Sequence, residues 1–91
     1  MTLVRVLVFY DISDDRVRTK VACACEDYGL DRIQFSAFCG QLSRTLQQEL
    51  MHKLRDLLGD AQGCIQLVPV AANEWERRLE VNNSCSTMPV S

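Results

Sequence analysis

The sequence predicts an α/β domain of the α+β type: a ferredoxin-like βαββαβ order, a four-stranded antiparallel sheet and two helices on one face. Three observations support this. Residues 3–9 show the side-chain alternation of a strand, with apolar residues on both faces. Two later stretches repeat apolar residues at helical spacing. Between them lies a stretch that alternates as a strand with one apolar and one mixed face. The βαββαβ order requires residues 32–43 to bend into two pairing strands. If they form one strand, the order is βαβαββ.

Length and composition indicate one small domain with a marginal core. The chain has 91 residues, 47% of them hydrophobic, and a domain of this size buries only about two thirds of its unfolded surface. The surplus of apolar residues therefore predicts an oligomer. We expect one domain over residues 1–81 and a flexible C-terminal tail over residues 82–91, because the tail is polar and contains a proline.

The net charge and the cysteines indicate which kinds of ligand and which cellular compartment suit this chain. A formal net charge of -2 disfavours non-specific nucleic-acid binding, although half of the basic residues lie at or before Arg32 and could form a local patch. The five cysteines contain no C-x-x-C pair, so we expect reduced thiols that act as small core residues. The sequence contains neither a signal-peptide pattern nor an apolar run of about 18 residues. We therefore expect a cytoplasmic protein without a membrane partner.

The stretch over residues 3–18 passes from a strand into a helix start, with Asp11 at the transition. Both faces of this strand are largely apolar, and helices cover only one face of a sheet, so a second copy of the chain is expected to cover the other. Asp11 is the first candidate site residue because a strand end holds a side chain rigidly beside an exposed loop. From the sequence alone, a role in capping that loop is about equally plausible.

The first helix is expected over about residues 14–28. Ser13 is the expected N-cap, an interaction worth about 1 kcal/mol. Asp14 and Asp15 suit the first turn, where acidic groups favour the positive end of the helix dipole. Gly29 can adopt the left-handed backbone conformation that ends a helix. These roles account for both aspartates without a metal.

The second half supplies the remaining elements. Residues 32–39 alternate as a strand, and Ser43 caps a helix that carries a leucine stripe and ends at Gly59. Residues 64–70 form a strand in which the penultimate proline indicates a sheet edge. After a turn over residues 71–75, we expect a short C-terminal strand over residues 76–81. His52, in the second helix, is expected at the surface.

Three blocks of sequence resemble the family of CRISPR-associated protein two, small ferredoxin-like proteins of spacer acquisition. They are F-Y-D-I-S-D-D-R-V-R at residues 9–18, Y-G-L-D-R-I-Q-F-S-A-F-C-G at residues 28–40, and I-Q-L-V-P-V-A-A-N-E-W-E-R-R at residues 65–78. Their matching order makes the resemblance more specific than any single motif, and it covers about residues 3–81.

The resemblance implies a symmetric homodimer with sheets stacked face to face, the C-terminal strand often reaching the partner chain. It implies a cytoplasmic role in the complex that inserts foreign DNA into a CRISPR array. There the protein would bridge copies of CRISPR-associated protein one, the integrase. For many members it also implies metal-dependent endonuclease activity on RNA or DNA.

Carried over residue by residue, the strand-end acid of the family falls on Asp11. The resemblance makes Asp11 the candidate catalytic and metal-binding residue. One carboxylate is a thin ligand set for Mg²⁺, so we expect one shared ion at the dimer axis, bound through Asp11 of both chains. Such an ion can polarise a phosphodiester and activate water.

The resemblance also marks basic and aromatic residues. The candidates for nucleic-acid binding are Arg16, Arg18, Lys20 and Arg32. The site aromatics are Tyr10 and Phe38, although both residue types are more often core. The sequence departs from the family at Cys39, where many members carry an acid.

These observations lead to three functional hypotheses. The first is a dimeric nucleic-acid-binding scaffold of the CRISPR adaptation complex, and the second is a Mg²⁺-dependent endonuclease. The alternative is a ferredoxin-like regulatory or small-ligand-binding dimer without a nucleic-acid function, which the acidic composition favours slightly.

Overall fold

The computed structural model of the chain describes residues 2–81. The elements are β1 (Val4–Ile12), α1 (Asp15–Asp27), β2 (Asp31–Gln34), β3 (Ala37–Leu42), α2 (Arg44–Leu58), β4 (Gly63–Val70) and α3 (Ala72–Glu76). The strands form one antiparallel sheet in the order β2-β3-β1-β4. The predicted βαββαβ order is therefore confirmed. The βαβαββ alternative is wrong, because residues 35–36 turn between two strands that pair with each other.

The central strand β1 separates the two faces of the sheet. Alternate side chains along a strand point to opposite faces, and one set on β1 packs into the core with α1 and α2. That set consists of Val6, Val8, Tyr10 and Ile12, all buried. The opposite set leaves Phe9 and Asp11 exposed. We call this second side of the sheet the open face.

The cap of α1 differs from the prediction by one residue. The carboxylate of Asp14 accepts a hydrogen bond from the backbone N–H of Val17 at 3.0 Å, so Asp14 is the N-cap rather than Ser13. The reason is that Asp14 has the extended backbone conformation, with φ -76° and ψ 117°, that precedes a helix beginning at Asp15. The predicted cap of α2 is confirmed, since Ser43 Oγ accepts from Leu46 N–H at 3.2 Å.

The predicted strand over residues 76–81 does not form in the single chain. The predicted turn before it is largely the short helix α3, and residues 77–81 lie in neither a helix nor a strand. The backbone N–H groups of Arg77 and Arg78 donate to Glu74 and Trp75 carbonyls. These local bonds use donors that a strand would offer to a neighbour. The predicted flexible tail, residues 82–91, lies outside the described residues.

Two cysteines are surface residues, contrary to the prediction that the cysteines are core residues. Cys25 and Cys39 are buried, whereas Cys23 and Cys64 are exposed. A two-residue step along a helix turns Cys23 away from the face that Cys25 buries. Cys85 lies outside the described residues.

Two further observations concern the surface. His52 is exposed as predicted, and its Nε2 lies 4.0 Å from a carboxylate oxygen of Asp56. Within residues 2–81, no helix combines the length and apolar character needed to cross a membrane.

Candidate functional site

Asp11 lies near the end of β1 on the open face of the sheet. Its side chain is exposed, whereas Tyr10, the preceding residue, is buried on the helix side. Asp11 lines a shallow depression of about 490 Å³ together with Ser13 and Gln62. The carboxylate, hydroxyl and amide of these three side chains supply oxygen atoms, the ligands that hard divalent cations prefer.

The described part of one chain supplies too few ligands for a metal at this position. Within residues 2–81, no three His, Cys, Asp or Glu side chains come together closely enough to hold an ion. The donor atoms at Asp11 therefore fit Mg²⁺ by type but not by number. A second copy of Asp11 would make up the shortfall.

Cys64 is a neighbour of Asp11 that the sequence did not single out. The two residues are register partners in the β1–β4 ladder, and partners directly opposite in a ladder project to the same face. Cys64 is exposed. An exposed thiol therefore lies beside the candidate carboxylate on the open face.

Arg18 connects α1 to the end of β1 through a hydrogen bond and makes an ion pair within α1. Its Nη1 donates to the backbone carbonyl of Ile12 at 2.8 Å, and its Nη2 makes an ion pair with the Asp15 carboxylate. The Arg18 side chain is half-buried. Arg18 therefore helps to position the strand end that carries Asp11, and any contact with nucleic acid uses the remainder of its guanidinium.

Arg18 and Arg32 converge beside the turn between β2 and β3. The guanidinium carbon of Arg18 lies 5.3 Å from the ring centre of Phe35, and that of Arg32 lies 6.0 Å from the same ring. Arg32 also lies 5.1 Å from the Phe38 ring. This cluster lies on the Tyr10 side of β1, so the predicted site residues do not form a single group around Asp11.

The other two predicted basic residues stand alone on α1. Arg16 and Lys20 are exposed. Neither takes part in an ion pair within residues 2–81. Their charges are therefore available to phosphate groups.

The two predicted aromatics are core residues. Tyr10 and Phe38 stack with ring centres 6.4 Å apart and an interplanar angle of 23°, and both are buried. Burial raises the pKa of Tyr10 above its ordinary value, with Arg32 partly opposing the rise. Within the described part of the chain, the Tyr10 hydroxyl has no hydrogen-bond partner.

Two residues near Cys39, Asp31 and Phe35, were not predicted as site residues. Cys39 is buried on the open face, opposite Leu7 on one side and Asp31 on the other. Asp31 is exposed and places an acid across the ladder from Cys39.

Phe35 is exposed at the hairpin turn. Its position in an alternating stretch indicated a strand, which concealed its role at the turn.

Comparison with known proteins gives consistent matches. The family model described as CRISPR associated protein Cas2 matches residues 4–78. CRISPR-associated endoribonuclease Cas2 2 of Chloroflexus aurantiacus is 46% identical over 72 residues, which cover 79% of this chain and 85% of that protein. The crystal structure of Streptococcus pyogenes Cas2 superposes with a TM-score of 0.73 at 26% identity, covering 87% of this chain and 99% of the other.

A longer relative contains the matching segment as one part. It is the CRISPR-associated endonuclease Cas1/endonuclease Cas2 fusion of Thermoproteus tenax, 42% identical over 76 residues. The match covers 84% of this chain and 29% of the fusion.

Proposed function

Because the chain belongs to the CRISPR associated protein Cas2 family, we propose that it is a dimeric, nucleic-acid-binding component of a CRISPR adaptation complex. In that role it bridges subunits of the integrase Cas1. The observation that carries this proposal is the open face, which leaves apolar side chains exposed and presents Asp11 near the end of its central strand. The Thermoproteus tenax fusion, in which the two proteins share one chain, supports Cas1 as the partner.

The open face is suited to a second copy of the chain. At the Arg5 end of the open face, the short helix α3 contacts β1. The Trp75 ring of this helix lies 5.3 Å from the Arg5 guanidinium carbon. Phe9 and Val68, farther along the face, are 38% and 40% exposed. Apolar side chains on one sheet face are stabilised when a second sheet packs against them. Face-to-face dimerisation of the two sheets accounts for their exposure.

The C-terminal end of the domain offers a second contact with the partner. Leu79 and Val81 are 98% and 90% exposed, and residues 77–81 form no strand in the single chain. Strand β4 is at the edge of the sheet, so one side of its backbone lacks a strand partner among residues 2–81. In the proposed dimer, residues 77–81 of each chain add to β4 of the other and bury these two side chains.

A second candidate function is Mg²⁺-dependent cleavage of RNA or DNA, and the exposure of Asp11 beside other oxygen donors favours it. In the proposed dimer the two Asp11 carboxylates would hold the ion, which would supply Lewis-acid polarisation of a phosphodiester and an activated water. Arg18 holds each strand end in place through its bond to Ile12. Arg16 and Lys20 bind backbone phosphates of the nucleic acid.

The alternative of a regulatory dimer without a nucleic-acid function has a direct test. Binding of duplex DNA and single-stranded RNA is measured at low salt, with and without Cas1, because phosphate contacts weaken steeply as salt rises. Both leading functions require binding in at least one of these combinations. Its absence in all of them would favour the regulatory alternative.

The two leading functions separate in an experiment on Asp11. Asp11→Asn retains the size of the side chain and removes its charge, and Asp27→Asn, an exposed aspartate at the end of α1, is the matched control. Each variant is assayed for Mg²⁺-dependent cleavage and for spacer integration with Cas1. We expect Asp11→Asn to lose cleavage and to retain integration, while Asp27→Asn retains both.

The other outcomes are equally informative. Cleavage that survives Asp11→Asn would contradict the proposed metal site. Loss of both activities while the dimer persists would mean that the scaffold function also depends on Asp11.

A further inference from the structure

A second pocket lies on the helix side of the sheet, apart from Asp11. It has a volume of about 300 Å³ and lies between β1, α1, β2 and the following turn. Tyr10 lines this pocket, and consecutive residues of a strand point to opposite faces. The pocket is therefore separate from the depression that Asp11 lines.

The Tyr10 hydroxyl is the first sign that the pocket receives a ligand. Tyr10 is only 5% exposed, and its hydroxyl lacks a hydrogen-bond partner within the described residues. Buried polar atoms almost always have a partner, so an orphaned one requires an explanation. The oxygen itself is less than 1 Å² exposed, so a polar atom of a bound molecule supplies the missing bond only when a side chain that covers the oxygen moves.

The second sign is an exposed aromatic ring beside two guanidinium groups. Phe35 is 69% exposed, and Arg18 and Arg32 lie beside its ring. Arg18 is paired with Asp15, whereas Arg32 has no carboxylate partner in residues 2–81. Aromatic side chains with neighbouring cations are what single-stranded nucleic acid binds, by base stacking and phosphate pairing.

The third sign is the mixed polarity of the lining. Glu26 and Thr19 line the same pocket as Arg32. A carboxylate repels a phosphate but accepts hydrogen bonds from the amino groups of a nucleobase. The lining therefore suits a base inside the pocket and a phosphate at Arg32.

We propose that this pocket binds one unpaired nucleotide of a single-stranded segment. The base stacks on Phe35, and Arg32 pairs with the phosphate. The edge of the base hydrogen-bonds to the Tyr10 hydroxyl after the side chains that cover this oxygen move aside. This inference rests on the proposed function, since it requires that the protein meets nucleic acid. It adds a preference for nucleic acid with unpaired nucleotides, at a site distinct from Asp11.

The first test compares two DNA molecules. One is a duplex with flush ends, and the other is the same duplex with a single-stranded tail of about ten nucleotides, within the usual span of single-strand sites. Affinities are measured by fluorescence anisotropy for the wild type, Phe35→Leu and Phe35→Trp. Leu46→Ala, at another exposed apolar residue, is the control.

We expect Phe35→Leu to weaken binding of the tailed DNA by about 5- to 150-fold, the usual effect of losing one base stack. Its affinity for the flush duplex should stay within about twofold of the wild type, Phe35→Trp should retain both affinities, and Leu46→Ala should change neither. Tyr10→Phe should weaken only the tailed complex, by about 2- to 10-fold for one hydrogen bond. Equal effects of Phe35→Leu on both DNA molecules, or none on either, would overturn the inference.

The second test locates the bound strand with the two cysteines that are exposed in the described part of the chain. Cys23 lines the pocket, and Cys64 lies on the open face as the register partner of Asp11. Alkylation of each thiol is followed by peptide mass spectrometry with and without the tailed DNA. We expect the tailed DNA to slow alkylation of Cys23, and the flush duplex to leave it unchanged.

The outcomes distinguish this inference from the proposed function. Protection of Cys64 without protection of Cys23 would overturn the pocket and leave the proposed function in place. Failure to bind either DNA and single-stranded RNA, alone or with Cas1, would overturn both.

Discussion

Gly63 lies against the backbone of Asp11 where β4 begins and β1 ends. A Cβ atom on Gly63 would stand 2.7 Å from the Asp11 carbonyl oxygen and 3.0 Å from Cγ1 of Ile12. Both distances are shorter than ordinary van der Waals contact. The two strands can therefore pair beside the candidate site only if this residue has no side chain.

The first prediction concerns this contact. Gly63→Ala should lower the free energy of unfolding by about 1–3 kcal/mol, because the added methyl group forces the backbone at Asp11 to move. The same movement should reduce any activity that depends on Asp11. Stability is measured by urea denaturation, with Gln62→Ala as a control expected to stay within about 0.5 kcal/mol. Unchanged stability of Gly63→Ala would show that the strands are not this close.

The second prediction distinguishes the two candidate caps of α1. Asp14→Ala should lower the free energy of unfolding by about 1 kcal/mol because it removes the hydrogen bond to Val17. Ser13→Ala should change it by less than about 0.5 kcal/mol. Thermal unfolding of both variants provides the comparison. A larger loss for Ser13→Ala would restore the cap that the sequence indicated.

The third prediction concerns alkaline pH. Burial, with a contribution from the Glu26 carboxylate, raises the pKa of the Cys25 thiol from 9.0 to about 11, and Arg32 partly opposes the rise. The unfolded chain therefore loses this proton first as the pH rises. The stability that Cys25 contributes is complete below pH 9 and is lost as the pH approaches about 11, by at most about 1.4 kcal/mol per pH unit.

Urea denaturation between about pH 8 and pH 10 checks this prediction through the slope of stability against pH. The slope should be shallower in Cys25→Ala than in the wild type. Cys23→Ala, at an exposed thiol, should keep the slope of the wild type. The same slope in all three proteins would show that the Cys25 thiol titrates normally.

The fourth prediction concerns the dimer. Phe9 on the open face and Leu46 on α2 are almost equally exposed, at 38% and 37%. Phe9→Lys should yield monomers, because a buried ammonium without a partner destabilises an interface, whereas Leu46→Lys should remain dimeric. Light scattering at micromolar concentration measures both masses. A monomeric wild type would contradict the proposed dimer.

The fifth prediction concerns phosphate contacts. Arg16→Gln and Lys20→Gln should each flatten the logarithmic dependence of DNA affinity on salt by about 0.9, the value for one contact on duplex DNA. Arg44→Gln, an exposed arginine at the start of α2, should leave the slope unchanged. Titrations at several salt concentrations give the slopes. An equal effect of Arg44→Gln would mean that only total charge matters.

Much of the candidate site could be predicted because its signals are local. The strand ending near Asp11 and the cap at Ser43 follow from patterns within a few residues. The exposed Phe35 and Cys64 could not be predicted in the same way. Exposure of Phe35 depends on the hairpin turn, and that of Cys64 on the strand that pairs beside it.

Local bonding explains why the predicted cap of α1 and the predicted C-terminal strand were wrong. Both residue types are good N-caps. Whether Ser13 or Asp14 caps α1 depends on the residue at which the backbone first becomes helical. Residues 76–81 resemble a strand in composition, but a strand requires a partner. In the single chain, the nearby carbonyls of Glu74 and Trp75 take the backbone donors instead.

By itself, the sequence determined the alternation of β1, the spacing of both helices and the three blocks that match the family. These are periodic or short-range properties that any fold of this chain must satisfy. Alternation already places Tyr10 and Asp11, neighbours in the chain, on opposite faces of the sheet. Only the tertiary structure decided which of these faces is covered, because that depends on where the helices pack. That packing buries Tyr10 beside Phe38 and leaves Asp11 exposed.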